Sequence, residues 1–172
     1  GLAIEKLLHR AGIPKNCFIA IVGGSQTGKS LLDFPLNGIF FTGSCKTGKI
    51  IAEKCASKII PVQLELGGND PLYVADDIST IPAVAASAAE GVFYNAGQSC
   101  CAVKRIYLHN NIHDQFVNEF LKEVRKMKVG NPMSRGTYIG PLARKEQSEF
   151  FESLVLDAVK KGAIIHRMAP NH

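Results

Sequence analysis

The sequence predicts an α/β fold built around parallel β-strands. Short apolar runs without polar alternation are separated by stretches whose apolar residues recur at helical spacing. Strands of this composition are buried on both faces, as in parallel sheets that helices cover. The connecting loops are short and rich in glycine, so we expect the order α-β-α-β-α-β over the first part of the chain, followed by a second α/β part.

The elements before Gly68 are bounded by helix- and strand-breaking residues. The first helix ends at Gly12 and Pro14, and Pro35 ends the second. The first strand runs into Gly23-Gly24 and the third into Gly67-Gly68. The predicted helices cover residues 4–11, 26–33 and 50–58, and the predicted strands cover residues 18–22, 38–41 and 62–66.

After Gly68 the pattern starts again, so Gly67-Gly68 is the predicted boundary between residues 1–66 and residues 67–172. An Ala-rich stretch and two amphipathic stretches predict helices. These helices cover residues 79–94, 116–127 and 143–161; the predicted strands cover residues 72–74, 105–109 and 163–166; the predicted loops cover residues 95–98 and 130–141.

Composition excludes several classes of function. The net charge is +5, but Lys and Arg are spread along helical stretches and Trp is absent, which argues against nucleic-acid binding. No apolar run approaches the roughly 18 residues of a membrane span. The first residues have the pattern of an amphipathic helix and not of a signal peptide.

The five cysteines predict a reducing compartment, because their number is odd and no Cys-x-x-Cys occurs. The cytosol fits best, and the mitochondrial matrix stays open. Cys17 and Cys55 lie among apolar residues and are predicted to be core residues. His109 and His113 are four residues apart, but Asn110 and Asn111 between them indicate a turn, so no metal site is predicted.

One stretch matches the phosphate-binding P-loop pattern without a mismatch: Gly23-Gly24-Ser25-Gln26-Thr27-Gly28-Lys29-Ser30. A predicted strand precedes it and a short predicted helix follows. Pro35 ends that helix early, whereas bound phosphates need a full helix N-terminus. A P-loop nucleotide-binding protein using Gly23–Ser30 is therefore a secondary hypothesis.

Three stretches carry a stronger signal when taken in order: Phe41-Thr42-Gly43-Ser44 with Gly48, Leu64-Glu65-Leu66-Gly67-Gly68, and Asn95-Ala96-Gly97-Gln98-Ser99-Cys100. Together they resemble the aldehyde dehydrogenase superfamily. Gly130-Asn131-Pro132, and Gly140-Pro141 with Gln147, extend the likeness over essentially all 172 residues. The resemblance implies the central segment of a subunit, with the C-terminal portion of a Rossmann-like dinucleotide-binding domain at 1–66 and the N-terminal portion of an α/β catalytic domain at 67–172.

The resemblance also implies two catalytic residues whose chemistry suits their types. Cys100 is the nucleophile, since a thiolate that adds to an aldehyde forms a thiohemiacetal whose hydrogen can leave as hydride. NAD or NADP accepts the hydride and a thioester remains. Glu65 is the base that activates water to release the acid. Its predicted place at the end of a parallel strand is where such sheets bind ligands.

The same resemblance assigns cofactor-binding residues. The pyrophosphate lies against Gly43, Ser44 and Gly48, where a helix start favours anions. Leu66 belongs to the same site, and Gly23 lines the adenine side.

Several properties are left open. Asn69 and Asp70 replace the Lys of many relatives, so the aldehyde is not specified, and coenzyme A could replace water as the acyl acceptor. The resemblance places an oxyanion Asn and a ribose-binding Lys before Gly1, and a Glu-x-Phe-Gly-Pro segment after His172. We therefore expect a homo-oligomer in the full-length form, with the segment alone inactive. An inactive fragment or scaffold of the same fold is the main alternative.

Overall fold

The computed structural model describes residues 1–167, which form six α-helices and four strands. The helices are α1 (Leu2–Arg10), α2 (Ser25–Leu31), α3 (Cys45–Ala56), α4 (Ile81–Phe93), α5 (His113–Lys126) and α6 (Lys145–Lys160). The strands are β1 (Ile39–Gly43), β2 (Val62–Leu66), β3 (Asp70–Val74) and β4 (Val103–Leu108). The predicted α/β class with parallel strands is confirmed.

The chain divides after Leu66 into two compact units. In the first unit β1 and β2 pair in parallel, with Ile39 opposite Val62 and Gly43 opposite Leu66. Parallel pairing brings the carboxyl ends of both strands to one edge, where β1 leads through Ser44 into α3. The residues that α3 buries are Gly48, Ile51 and Cys55, so the predicted core position of Cys55 is confirmed.

Two lysines of the α3 region connect it to the turn after α2. Lys54 Nζ lies 2.9 Å from Asp33 Oδ1, and the Lys58 ammonium donates to the Leu32 carbonyl at 2.7 Å. The hydrogen bond and charge of Lys54 lower the pKa of the Asp33 carboxyl below its ordinary value of 3.8.

The predicted strand at residues 18–22 is wrong. In the part of the chain that the structure describes, this segment pairs with no strand. A strand needs a neighbour for its backbone hydrogen bonds, and here side chains of α1 take that place. Glu5 Oε1 accepts from the Ala20 amide at 3.0 Å, and His9 Nε2 lies 3.0 Å from the Phe18 carbonyl oxygen. Cys17, predicted in the core, is exposed.

The second unit, from Gly67 onward, is built on β3 and β4, which also pair in parallel. Helices α4 and α5 pack against each other, and α4 also contacts β4. Small side chains of α4 allow the close approach, since Ala85 and Ala89 have no exposed surface. The buried core cluster consists of Val74, Ala85, Ala88, Ile112 and Phe116.

The predicted final strand at residues 163–166 is also wrong, because the chain there closes helix α6 instead. Gly162 has a φ of +90°, and the Ala163 amide donates to the Ala158 carbonyl at 3.0 Å. Residues 130–141 form the predicted loop, apart from a bridge between Val129 and Ile139. Among residues 1–167, no helix combines the length and apolar character needed to cross a membrane.

Candidate functional site

Cys100 and Cys101 occupy the central positions of a β-turn. The Ala102 amide closes the turn by donating to the Ser99 carbonyl at 3.2 Å. Both thiols are exposed, and the Cys101 sulfur lies 3.2 Å from the Ser99 hydroxyl oxygen. We call Ser99–Ala102 the cysteine turn. Its position before β4 leaves the Cys100 sulfur accessible to a small molecule.

A left-handed backbone segment leads into the cysteine turn. Asn95 and Ala96 have φ of 51° and 56°, and Gly97 has φ of 72°. Glycine adopts this conformation freely and asparagine tolerates it, but at alanine it costs about 1–2 kcal/mol. Backbone strain of this kind is concentrated at functional sites, and here it lies four residues before the candidate nucleophile.

The backbone of Gly68 lies directly against the cysteine turn. A Cβ added at Gly68 would overlap the Cys100 carbonyl oxygen and would lie 2.6 Å from Asp70 Oδ1. A Cβ at the neighbouring Gly67 would meet nothing within 4 Å. The second glycine of the pair is therefore required by its close approach to the Cys100 carbonyl.

We expect Gly68→Ala to destabilise the second unit by about 1–3 kcal/mol, because the added methyl group must displace backbone. The free energy of unfolding, measured by urea denaturation, checks this. Gly67→Ala is the matched control and should change it by less than about 0.5 kcal/mol. Equal effects of the two substitutions would contradict the close contact.

Glu65 lies in the first unit, near the end of β2 and opposite Thr42 of β1. Its side chain is on the exposed face of the strand, where the Gln63 amide donates to Glu65 Oε1 at 3.2 Å. The carboxylate keeps accessible oxygens that could accept a proton from water. That Glu65 and Cys100 act on one substrate stays a prediction.

Two of the predicted cofactor residues pack helix α3 onto β2. Gly48 is buried, and a Cβ there would lie 2.6 Å from a terminal methyl carbon of Leu66. A side chain at this position would force the Leu66 side chain to shift. Gly48 and Leu66 therefore fix the position of the α3 N-terminus.

The start of α3 has the electrostatic character of an anion site. Ser44 is the N-cap and accepts from the Thr47 amide at 3.2 Å. The amides of Cys45 and Lys46 have no intrahelical acceptor, because the Gly48 amide is the first to donate within the helix, to the Ser44 carbonyl. No acidic residue lies in the first turn, and Lys46 and Lys49 add positive charge to the positive end of the helix dipole. These residues fit a pyrophosphate, which would neutralise the accumulated positive charge.

Gly23 lies before α2 and not at the α3 turn, and a Cβ there would overlap the Thr27 side chain. The P-loop hypothesis fails on this local structure. Helix α2 begins at Ser25, inside the motif, and the Gly28 amide already donates to the Gly24 carbonyl at 3.2 Å. The strand that should precede a phosphate loop is also missing. These backbone groups therefore form no open cradle.

Sequence reasoning missed the residues that hold the segment before the cysteine turn and the residue that follows Gly68. Gln98 donates to the Asn95 carbonyl at 3.2 Å and accepts from the Ala143 amide at 2.8 Å. Arg105 Nε donates to the Asn69 carbonyl at 3.0 Å. Two of these partners are 45 and 36 residues away in sequence, so no local pattern indicates them.

Comparison with known proteins supports a single family. Residues 1–167 match the model of the aldehyde dehydrogenase family. The chain is 38% identical over 168 residues to the glutarate-semialdehyde dehydrogenase of Pseudomonas putida, covering 94% of the chain and 34% of that protein. It is 37% identical over 164 residues to the NADP-linked succinate-semialdehyde dehydrogenase of Escherichia coli, with the same two coverages.

A solved structure gives the same result. The NADP-dependent glyceraldehyde-3-phosphate dehydrogenase of Bacillus halodurans C-125, complexed with NADP, superimposes with a TM-score of 0.85 at 33% identity. The match covers 96% of the chain and 35% of that structure. The chain thus spans about a third of the length of the curated relatives it matches.

Proposed function

Because the chain belongs to the aldehyde dehydrogenase family, we propose that it carries the nucleophile and the base of an enzyme that oxidises aldehydes to carboxylic acids with NAD or NADP. The observation that carries the proposal is the cysteine turn. It presents an exposed Cys100 thiol three residues after a strained left-handed segment, and the Cys100 carbonyl lies against the backbone of Gly68. An ordinary surface turn would need neither feature.

Cys100 supplies the covalent step. Its thiolate adds to the aldehyde carbon, and the carbonyl oxygen becomes the oxyanion of a tetrahedral thiohemiacetal. The Cys100 backbone N–H is one donor for that oxyanion. The nicotinamide, when bound, accepts the hydride from this carbon. The acyl group then remains on the Cys100 sulfur as a thioester.

Glu65 acts in the hydrolysis of the thioester. Its carboxylate takes a proton from a water molecule as that water attacks the acyl carbon, which releases the acid and returns Cys100 as the thiolate, and the proton on Glu65 then passes to solvent. The exposed Glu65 side chain supports this role, because its carboxylate keeps oxygens that can accept the proton.

The first turn of α3 holds the dinucleotide phosphates. Gly43 and Ser44 lead into the helix, and the free amides of Cys45 and Lys46 supply donors. Gly48 and Leu66 act by setting the helix position, and Gly23 remains a candidate for the adenine side. We place the complete enzyme in the cytosol or another reducing compartment, as a homo-oligomer.

Selective alkylation of the protein tests the proposal. We expect limiting iodoacetamide to label Cys100 ahead of Cys17, Cys45 and Cys101, all of which are also exposed. Peptide mass spectrometry gives the site of labelling. Aldehyde-dependent reduction of NAD or NADP, measured on the same samples with a panel that includes semialdehydes, should fall in proportion to Cys100 labelling.

Two results would contradict the proposal. Labelling of another cysteine that removes activity while Cys100 stays unmodified would reject Cys100 as the nucleophile. Absence of aldehyde oxidation in the unlabelled protein, together with an unreactive Cys100, would support the inactive scaffold instead.

A further inference from the structure

Lys104, the second residue of β4, binds both ends of the cysteine turn. Its ammonium donates to the Ser99 carbonyl at 3.0 Å and to the Ala102 carbonyl at 2.8 Å. Bonds from a charged donor are about twice as strong as neutral ones. The Lys104 side chain therefore stabilises the same turn that the Ala102 amide closes with a backbone hydrogen bond.

The Ser99 carbonyl shares a peptide plane with the Cys100 amide. The peptide group is planar, and its C=O and N–H point in opposite directions. When Lys104 and the Ala102 amide both donate to the Ser99 oxygen, the direction of the Cys100 N–H is fixed as well. Within residues 1–167, that N–H has no acceptor, so it is available to a ligand.

We propose that Lys104 is a positioning residue that aims the Cys100 N–H at the oxyanion of the thiohemiacetal. The inference rests on the proposed function, because it needs Cys100 to attack a carbonyl. The ammonium on the Ser99 oxygen also polarises the peptide and makes the Cys100 N–H a better donor. Gly68 contacts the carbonyl on the other side of Cys100, so both peptide groups of the nucleophile are held.

The test compares aldehyde turnover with alkylation in the same protein. Removing a complete oxyanion donor lowers kcat by about 10²–10³, so a misaligned donor in Lys104→Met should lower kcat about tenfold. KM should change by less than about twofold, since the interaction is made in the transition state. Alkylation of Cys100 by iodoacetamide creates no oxyanion, and its rate should also stay within about twofold.

Three further lysine variants make the result specific. Lys104→Arg should recover most of the turnover, since a guanidinium can also donate to two carbonyl oxygens. Lys122→Met removes an exposed lysine of α5 that pairs with Glu119 and should leave kcat unchanged. Lys104→Gln keeps a donor without the charge and should give an intermediate kcat, which provides a second measurement if Lys104→Met folds poorly.

Different experimental results would contradict the role of Lys104 and the proposed function. Aldehyde oxidation by the complete enzyme that contains this chain is measured first, and its absence there would overturn both. Oxidation that persists with an unchanged kcat in Lys104→Met would overturn the role of Lys104 alone. A parallel fall in alkylation rate and kcat would also overturn it, because that result indicates general loosening of the turn.

Discussion

Cys100→Ser is expected to lower the rate of aldehyde-dependent reduction of NAD or NADP at least about a thousandfold. Removing the nucleophile eliminates the covalent reaction path itself, which costs more than the loss of a single stabilising contact. A hydroxyl of the same shape keeps the turn but is a far weaker nucleophile than a thiolate. Steady-state kinetics at saturating aldehyde measure the loss. The unfolding midpoint should stay unchanged, because the Cys100 side chain is exposed.

Cys101→Ser is the matched control, since it changes the same atom one residue further along the same turn. Cys101 is equally free and exposed, so a general effect of thiols on the turn would appear in both variants. We expect kcat to fall by less than about threefold in Cys101→Ser. A large loss there with activity retained in Cys100→Ser would assign the nucleophile to Cys101.

Phe116→Ala is expected to destabilise the second unit by about 3–5 kcal/mol, the range for deleting a buried aromatic ring. Phe116 is 2% exposed in the cluster with Val74, Ala85 and Ile112. Its ring centroid lies 6.3 Å from that of Phe120. The cavity would open between α4, α5 and the β3–β4 pair. Urea denaturation followed by far-UV circular dichroism gives the free energy of unfolding.

Phe150→Ala provides the comparison on α6 of the same unit. Phe150 is 56% exposed, so the same deletion should cost less than about 1 kcal/mol. A similar loss in both variants would show that the cluster around Phe116 is not the centre of this unit's stability.

The sequence predicted elements reliably wherever local spacing determines them. All six helices occur where amphipathic spacing and breaking residues indicate them, and β1 to β4 follow the apolar runs. The two missing strands show the limit of that reasoning. Residues 18–22 and 163–166 have suitable composition, but pairing depends on a partner strand that a local pattern does not specify. Side chains of α1 and the end of α6 provide the hydrogen-bond partners for backbone groups of these two segments instead.

The resemblance of the motif around Cys100 to a known family predicts a nucleophile, and that assignment stays a prediction. The contacts that support the candidate site could not be predicted from the sequence. The contact of Gly68 with the Cys100 carbonyl depends on how β3 and β4 pair, and the bonds from Lys104 depend on the geometry of the cysteine turn. The left-handed conformation of Ala96 has no local signal at all, because alanine is typical of helices.

The conformation of Ala96 has a consequence for engineering the protein. A glycine at this position would relieve the cost of the positive φ and favour folding. The same change would let the segment before Cys100 sample other geometries, and turnover depends on one of them. Thermostability and catalytic rate should therefore trade against each other at this single residue. A screen that selects only for heat resistance should therefore favour variants at residue 96 with a lower catalytic rate.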